Sequence, residues 1–414
     1  MAAVLPTGVE IHSDKIRLNF LYRGIRCREV LKGWEVTKTN IRKAGNLRHL
    51  IISQIQNGTF NYRDHFPESP AARRFGTTLQ VHTWGELVNL WLTTKEEDIS
   101  FSTLCKIRAQ LVSINQIIAP GTEISAIRHS DILRYRKALL HGENFYPDNS
   151  RRKRKGRSAE TVDNYISLVC QILRFAYRSK FINDKPFEFI PKLRKDRNKP
   201  EPLMREEYEQ LLAALSGQDN NLWKFAINSG IRHGELAALA WGDVNLDAGT
   251  VHICRNLTNQ NQFVRPKTRA GDRVITLLAP ALEALKAQFV LTGHLPETAI
   301  EFVTREVGKT RPQKQRFVFL PGMKTRRPGQ YFQVQSVAQR WNAAVKKSGI
   351  RRRAPYQTRH TFACWLLSAG ANPSFIASQL GHEDAQMVYR VYSSWIQAFD
   401  GDQVAQMNER LWGV

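Results

Sequence analysis

Ser229-Gly230-Ile231-Arg232-His233-Gly234-Glu235-Leu236 sets a helix end, an arginine and a helix start side by side. Gly230 closes the helix that residues 223–229 announce, because glycine takes the backbone of a helix terminus without steric penalty. Arg232 follows two residues later, and Glu235 falls in the first turn of the next helix, where a carboxylate suits the helix dipole. Such a junction can aim Arg232 into a cleft where helix N-termini favour anions. Standing alone, the segment would read as a surface arginine in a turn.

Three further segments keep it company. Pro266-Lys267-Thr268-Arg269-Ala270-Gly271-Asp272-Arg273 reads as a hairpin tip with Lys267 projecting from it. Tyr356-Gln357-Thr358-Arg359-His360-Thr361 opens a helix over 362–369; Arg359 and His360 there suit an anion site, or His360 is a satisfied core histidine. Leu380-Gly381-His382 is followed ten residues on by Tyr392, with Tyr389 three residues before it.

Outward from these segments the chain changes character. In Lys15–Tyr22, Ile16, Leu18, Phe20 and Tyr22 recur near period two, and Arg23-Gly24 can turn the chain into a second strand. From Asn40, a plausible cap, Ile41, Ala44, Leu47, Leu50, Ile51 and Ile55 recur at helical spacing up to Gly58. Residues 66–77 read as a linker. Residues 78–185 read as all-helical, with stripes around Leu87–Leu92, Leu104–Ile114 and Val162–Tyr177, the last capped by Ser158. Pro186, Pro191, Pro200 and Pro202 mark a second linker over 186–202. Beyond it come helices near 204–215, 223–229 and 334–348, strands near 251–254 and 273–278 flanking a hairpin region, and a helical stretch over 366–382 broken at Gly370 and Pro373. The fold class expected is multidomain α+β: a small sheet with one helix, an all-α domain, and a mixed, mainly α domain carrying a small antiparallel sheet.

Composition narrows the partners. The 414 residues hold 61 Lys and Arg against 37 Asp and Glu, a formal charge of +24, which points to a phosphate-bearing partner. No run of apolar residues is long enough to span a membrane, and the start MAAVLPTGVEIHSDK lacks the features of a secretory signal. The five cysteines are dispersed and form no CxxC pair, which argues against a disulfide framework or a zinc finger and for a reducing compartment. No P-loop and no acidic cluster suited to Mg²⁺ is present, so no metal and no cofactor is expected. Arg151, Arg152, Lys153, Arg154, Lys155 and Arg157 form a basic run. It reads as a solvated loop or a localisation patch on an ordinary protein, and as a DNA-backbone contact on one so basic.

The four segments, in this order, resemble the catalytic domain of the tyrosine recombinases, the phage-integrase family. SGIRHGEL is similar to the family's first arginine motif, PKTRAGDR to its hairpin lysine, YQTRHT to its second arginine motif, and LGH with Tyr392 to its C-terminal signature. The likeness spans roughly residues 200 to 395. It implies a catalytic domain over 203–395, a core-type DNA-binding domain over 78–185 and an arm-type one over 1–65, with a three-stranded sheet. It implies that Tyr392 attacks a DNA phosphate to give a 3′-phosphotyrosine, that Arg232 and Arg359 clamp the phosphate, that Lys267 protonates the leaving 5′-oxygen, and that His382 hydrogen-bonds the phosphate or assists proton transfer. Glu235 would orient its neighbours. Where the family carries histidine three residues before its second arginine, this chain has Tyr356, a phosphate ligand at most, since a phenol with a pKa of about 10 is a poor base.

The chemistry suits the assignment. Two planar, always-charged guanidiniums match a phosphodiester's oxygens, and covalent capture by tyrosine conserves the bond energy for resealing. The implied protein is an integrase of a phage or mobile element, in the cytoplasm of a bacterial host, acting on double-stranded DNA at attachment sites as a tetramer, with a host DNA-bending protein and an excision factor as further partners and no membrane. The alternatives are a chromosome-resolution recombinase and a non-catalytic DNA-binding protein on the same fold. The tail 396–414 either covers its own domain or docks on a neighbouring subunit.

Overall fold

A computed structural model describes residues 5–57, 59–74, 81–142, 156–195, 199–304, 306, 308–322, 329–399, 408–409 and 411–413. The chain divides into two compact units. One runs to Leu90 and takes in Ile118–Tyr135 and Val169–Ile190; the other comprises Trp91–Ile117, Arg136–Leu168 and the chain from Pro191 onward.

In the first unit, β1 (Val9–His12), β2 (Lys15–Tyr22) and β3 (Ile25–Val30) form an antiparallel sheet in that order. Both connections are tight. Ser13 and Asp14, then Arg23 and Gly24, all have positive φ, the geometry of two-residue turns that match strand twist. The alternation buries Val9, Ile16, Leu18, Phe20 and Cys27 against Ala44 and Ile51 of α1 (Lys38–Gln56). The cap of α1 is Thr37, not Asn40: the Thr37 hydroxyl accepts the Asn40 backbone N–H, while the Asn40 side chain donates to the Glu35 carbonyl. Gly58 lies outside the described residues. Two short helices follow, α2 (Tyr62–His65) and α3 (Pro70–Arg74). Phe60, Tyr62 and Phe66 gather around the Phe20 ring at 5.7, 5.9 and 5.9 Å, and Ala72 joins the same core. Residues 66 to 72, expected in a linker, are thus drawn into the packing by aromatic burial.

Next come α4 (Trp84–Lys95), α5 (Phe101–Ile114), α6 (His129–His141) and α7 (Ala159–Arg178). Ser158 accepts the Thr161 N–H at the head of α7, as expected. α6 is not marked by a strong apolar stripe in the sequence. Its buried stripe is only Ile132, Tyr135 and Leu139, set among arginines and lysines.

The remainder of the second unit begins with α8 (Arg205–Ala213), α9 (Gln218–Ser229) and α10 (His233–Ala237). Then β4 (Val244–Asn245), β5 (Thr250–Ile253), β6 (Asn256–Leu257), β7 (Phe263–Val264) and β8 (Arg273–Thr276) lead into α11 (Ala279–Thr292). β9 (Thr298–Val303), β10 (Thr310–Gln315), α12 (Val334–Ser348), α13 (Gln357–Ser368), α14 (Pro373–Leu380) and α15 (Gln386–Phe399) complete it. The expected antiparallel sheet is β4-β5-β8, with Val251 opposite Ile275. A second sheet, β10-β9-β7-β6, includes the parallel pair β7–β9. Its hairpin β6–β7 turns at residues 258–262, so Lys267 sits after the hairpin rather than at its tip. Trp223 and Trp341, edge to face at 4.9 Å, lie in the main core. A smaller core of Phe362, Leu367, Ile376, Leu380, Val388 and Tyr392 locks α13, α14 and α15 together.

Candidate active site

Gly230 caps α9 with φ 63° and ψ 17°. A Cβ there would stand 2.5 Å from Phe362 Cδ1 and 2.8 Å from Leu380 Cδ2, so both the backbone and the space require glycine. The chain then turns outward and Arg232, extended, caps α10. The Glu235 carboxylate folds back on it, accepting the Arg232 backbone N–H at 3.0 Å and its Nη1 at 2.8 Å.

Arg273, at the start of β8, meets the same carboxylate from the other side. Its Nη1 and Nη2 donate to Glu235 Oε1 and Oε2 at 3.2 and 3.1 Å, and its Nε donates to the Gln379 carbonyl at 2.7 Å. Nothing in the segment Pro266–Arg273 marks Arg273 out as a member of the site. Burial pushes the Glu235 carboxyl up, yet Arg273 and then Arg232 outweigh burial and hold it below the usual carboxylate range.

Arg359 is the deepest group of the site, 1% exposed. Nη1 donates to the Gly230 carbonyl at 2.8 Å, and Nη2 to the Leu380 carbonyl and to His382 Nε2, the latter at 3.1 Å. No carboxylate pairs with it among the described residues. Burial, then the nearby Arg232, lowers its pKa to about 10. Because Arg359 donates to Nε2 of His382, the imidazole proton belongs on Nδ1, which is buried without a hydrogen-bond partner. Burial followed by the arginines Arg359 and Arg232 holds His382 near 4.

Tyr392 projects from α15 and is 2% exposed. Its hydroxyl lies 2.8 Å from His360 Nδ1, and the two rings meet edge to face at 5.5 Å. Tyr356 also meets the His360 ring edge to face, at 5.2 Å, and is itself exposed. Burial raises the Tyr392 pKa above the ordinary phenol value, against a smaller opposing pull from Arg359. Tyr389, by contrast, is half exposed. The site therefore brings Arg232, Glu235, Arg359, His382, His360 and Tyr392 together, with Arg273 beneath them. Lys267 is exposed on the loop between β7 and β8.

The basic run lies mostly outside the described residues, Arg151 to Lys155 among them; Arg157 places its guanidinium 5.5 Å from the Tyr165 ring centre. Much of the tail 396–414 lies outside them too. No helix among the described residues is long and apolar enough to cross a membrane.

Comparison with known proteins agrees with this geometry. Residues 6–70 match the model of an arm DNA-binding domain, and residues 201–395 match that of the phage integrase family. The chain is 54% identical over 407 residues to the prophage integrase IntR of Escherichia coli strain K12, covering 98% of this chain and 99% of that one. Among solved structures, the Tn1549 transposon integrase in complex with a circular intermediate DNA superposes with a TM-score of 0.59 at 18% identity, over 80% of this chain and all of that one. Lambda integrase, as a dimer bound to a core site, superposes with a TM-score of 0.54 at 15% identity, over 97% and 98% of the two chains. As a tetramer bound to a Holliday junction it gives 0.52 at 14%, over 97% and 99%.

Proposed function

The chain belongs to the phage integrase family and is a site-specific tyrosine recombinase, and from that footing we propose which of its residues cut and rejoin DNA. One observation carries the assignment: Arg359 is a buried guanidinium that makes no ion pair with a carboxylate among the described residues, beside a second arginine. Burying such a charge is costly, and an anion seated against it offsets the cost. A phosphodiester has the right charge, and its two non-bridging oxygens match the guanidinium fork. Arg359 and Arg232 hold the phosphate, while Glu235 and Arg273 hold Arg232 at its angle. As negative charge grows in the transition state, these donors count for more, with one lost donor typically worth about 3 kcal/mol.

Tyr392 supplies the nucleophile. Its Oη forms a bond to phosphorus as the bond from phosphorus to the 5′-oxygen breaks, leaving a 3′-phosphotyrosine. Lys267 delivers a proton to the departing 5′-oxygen, His382 donates from its unpartnered Nδ1 to the phosphate, and Tyr356 ligates it from the exposed side. Reversal with a different 5′-hydroxyl reseals the backbone in a new partner. The substrates are attachment sites on double-stranded DNA, the element is a phage or mobile element in a bacterial cytoplasm, and the working assembly is a tetramer, the form in which lambda integrase occupies a Holliday junction. A host DNA-bending protein and an excision factor complete the partners.

A nicked suicide duplex tests the core of this reading. Tyr392→Phe is expected to bind the duplex and trap none of it covalently, while Tyr389→Phe traps it as the parent does. An adduct peptide that maps to Tyr389 would overturn the assignment.

A further inference from the structure

The phenolic proton of Tyr392 must go somewhere as the bond to phosphorus forms, and the groups around it differ in their capacity to take it. His382 has its Nε2 lone pair occupied by Arg359, so its remaining nitrogen carries hydrogen and can only donate. Tyr356, standing where the family carries histidine, is a phenol and does not accept a proton near neutrality. Lys267 has the opposite task at the leaving group. His360 alone among these presents a ring nitrogen to the nucleophile, Nδ1 at 2.8 Å from Tyr392 Oη, inside the range of a working acid–base contact. Its ring packs edge to face on both Tyr356 and Tyr392, with interplanar angles of 76° and 61°, which helps hold the nitrogen on the hydroxyl.

We propose that His360 is the general base of this recombinase, taking the proton of Tyr392 through Nδ1 during attack and returning it when the phosphotyrosine is resealed. The proposal rests on Tyr392 being the nucleophile. In the forward step the Oη–P bond forms, the P–O5′ bond breaks with its electron pair on the 5′-oxygen, Lys267 protonates that oxygen, and neutral His360 becomes imidazolium. In the reverse step each proton goes back.

The surroundings make the base respond to substrate. The titratable and charged groups set against the imidazole are Tyr356 and Arg359 on its own segment and Tyr392 from α15, with Cys364 of the same helix acting on Tyr392. Burial, then Arg359, holds the free-enzyme pKa of His360 to about 4, so the ring is neutral at physiological pH and the phenol keeps its proton. A phosphate seated on Arg359 offsets that positive charge, and His360 becomes more basic when DNA is in place.

The test is single-turnover capture of a nicked suicide duplex by the full-length protein. His360→Asn is expected to bind DNA as the parent does and to capture it on the order of 10²–10⁴-fold more slowly, the usual weight of one acid–base group. Its rate should climb roughly tenfold per pH unit between about pH 6 and 8, because phenolate must then form through hydroxide, while the parent stays nearly level. Imidazole added to His360→Ala should restore capture, a rescue that a purely structural role would not show. A 5′-bridging phosphorothiolate, whose leaving group needs no proton, should rescue Lys267→Ala and not His360→Asn. Capture by His360→Asn at the parental rate, or its rescue by the phosphorothiolate, overturns the base assignment. Mapping the parent's adduct peptide separates the two failures. An adduct elsewhere than Tyr392 removes the reading underneath, whereas an adduct on Tyr392 with an unaffected His360→Asn removes this proposal alone.

Discussion

Glu235 is the residue on which the arginines of the site depend. Its two oxygens are shared between Arg232 and Arg273, and its side chain is 2% exposed. Replacing it with glutamine leaves two guanidiniums facing a neutral amide, and breaking a buried pair from one side typically costs about 3–5 kcal/mol. Glu235→Gln should therefore melt well below the parent near neutral pH. The pH dependence has a definite sign. Because the folded carboxyl titrates below its unfolded value of 4.5, its contribution is complete above that value and disappears as pH falls through the folded value. The stability gap between parent and variant should narrow as the solution is acidified below about pH 4.5, and denaturant melts at several pH values would show it; a gap independent of pH would refute the ion-pair account. At this scale Arg232, Glu235, Arg359 and Tyr392 were legible in the sequence because each sits in a short motif. Arg273 was not. At the head of an alternating strand it reads as exposed, and only the return of the chain to a carboxylate 38 positions earlier buries it.

Among the elements, the junction of α9 and α10 has the least tolerance. Gly230 supplies a left-handed backbone, room for Phe362 and Leu380, and the carbonyl that receives Arg359. Gly230→Ala should lose about 1–2 kcal/mol to the backbone and about 1–3 kcal/mol more to crowding. Because the displaced carbonyl loosens Arg359, duplex capture should fall further than duplex binding. A variant that melts with the parent and captures DNA normally would show that the turn adapts. Elements with a strong apolar period, such as β2, α7 and α12, were legible for the reason that they fold: one face is buried. β10, reading TRPQKQ, has no such period because it is an exposed outer strand of its sheet, and its partner β9 carries only Ile300 and Phe302 inward. The lysine loop was misplaced for a related reason. The short β6–β7 hairpin turns on polar residues, Thr258 to Gln262, and nothing in their pattern separates its tip from the loop that follows.

At the scale of the whole molecule, the formal charge of +24 supplies general affinity for DNA, and the division of labour within the chain decides what that affinity achieves. The core from Val9 to Ala72 closes on residues of its own segment, sheet against α1 with the aromatic group around Phe20, and none of its members is a catalytic candidate. A fragment that starts at Val81 should therefore still form the Tyr392 adduct on a suicide duplex containing only the crossover site. The same fragment should fail at recombination between full attachment sites. A protomer that grips a second DNA segment through its N-terminal sheet converts assembly of the complex into a tethered event, and tethering of this kind typically raises avidity by about 10²–10⁴-fold. Adding the separate N-terminal piece back in solution should not restore recombination, because the gain comes from the covalent link and not from the piece itself. Two measurements carry the test: covalent capture by the fragment, and gel-shift of the isolated N-terminal piece on DNA from the attachment region. Full recombination by the fragment, or failure of the N-terminal piece to bind any of that DNA, would remove the tethering role and leave the first domain without a part in assembly.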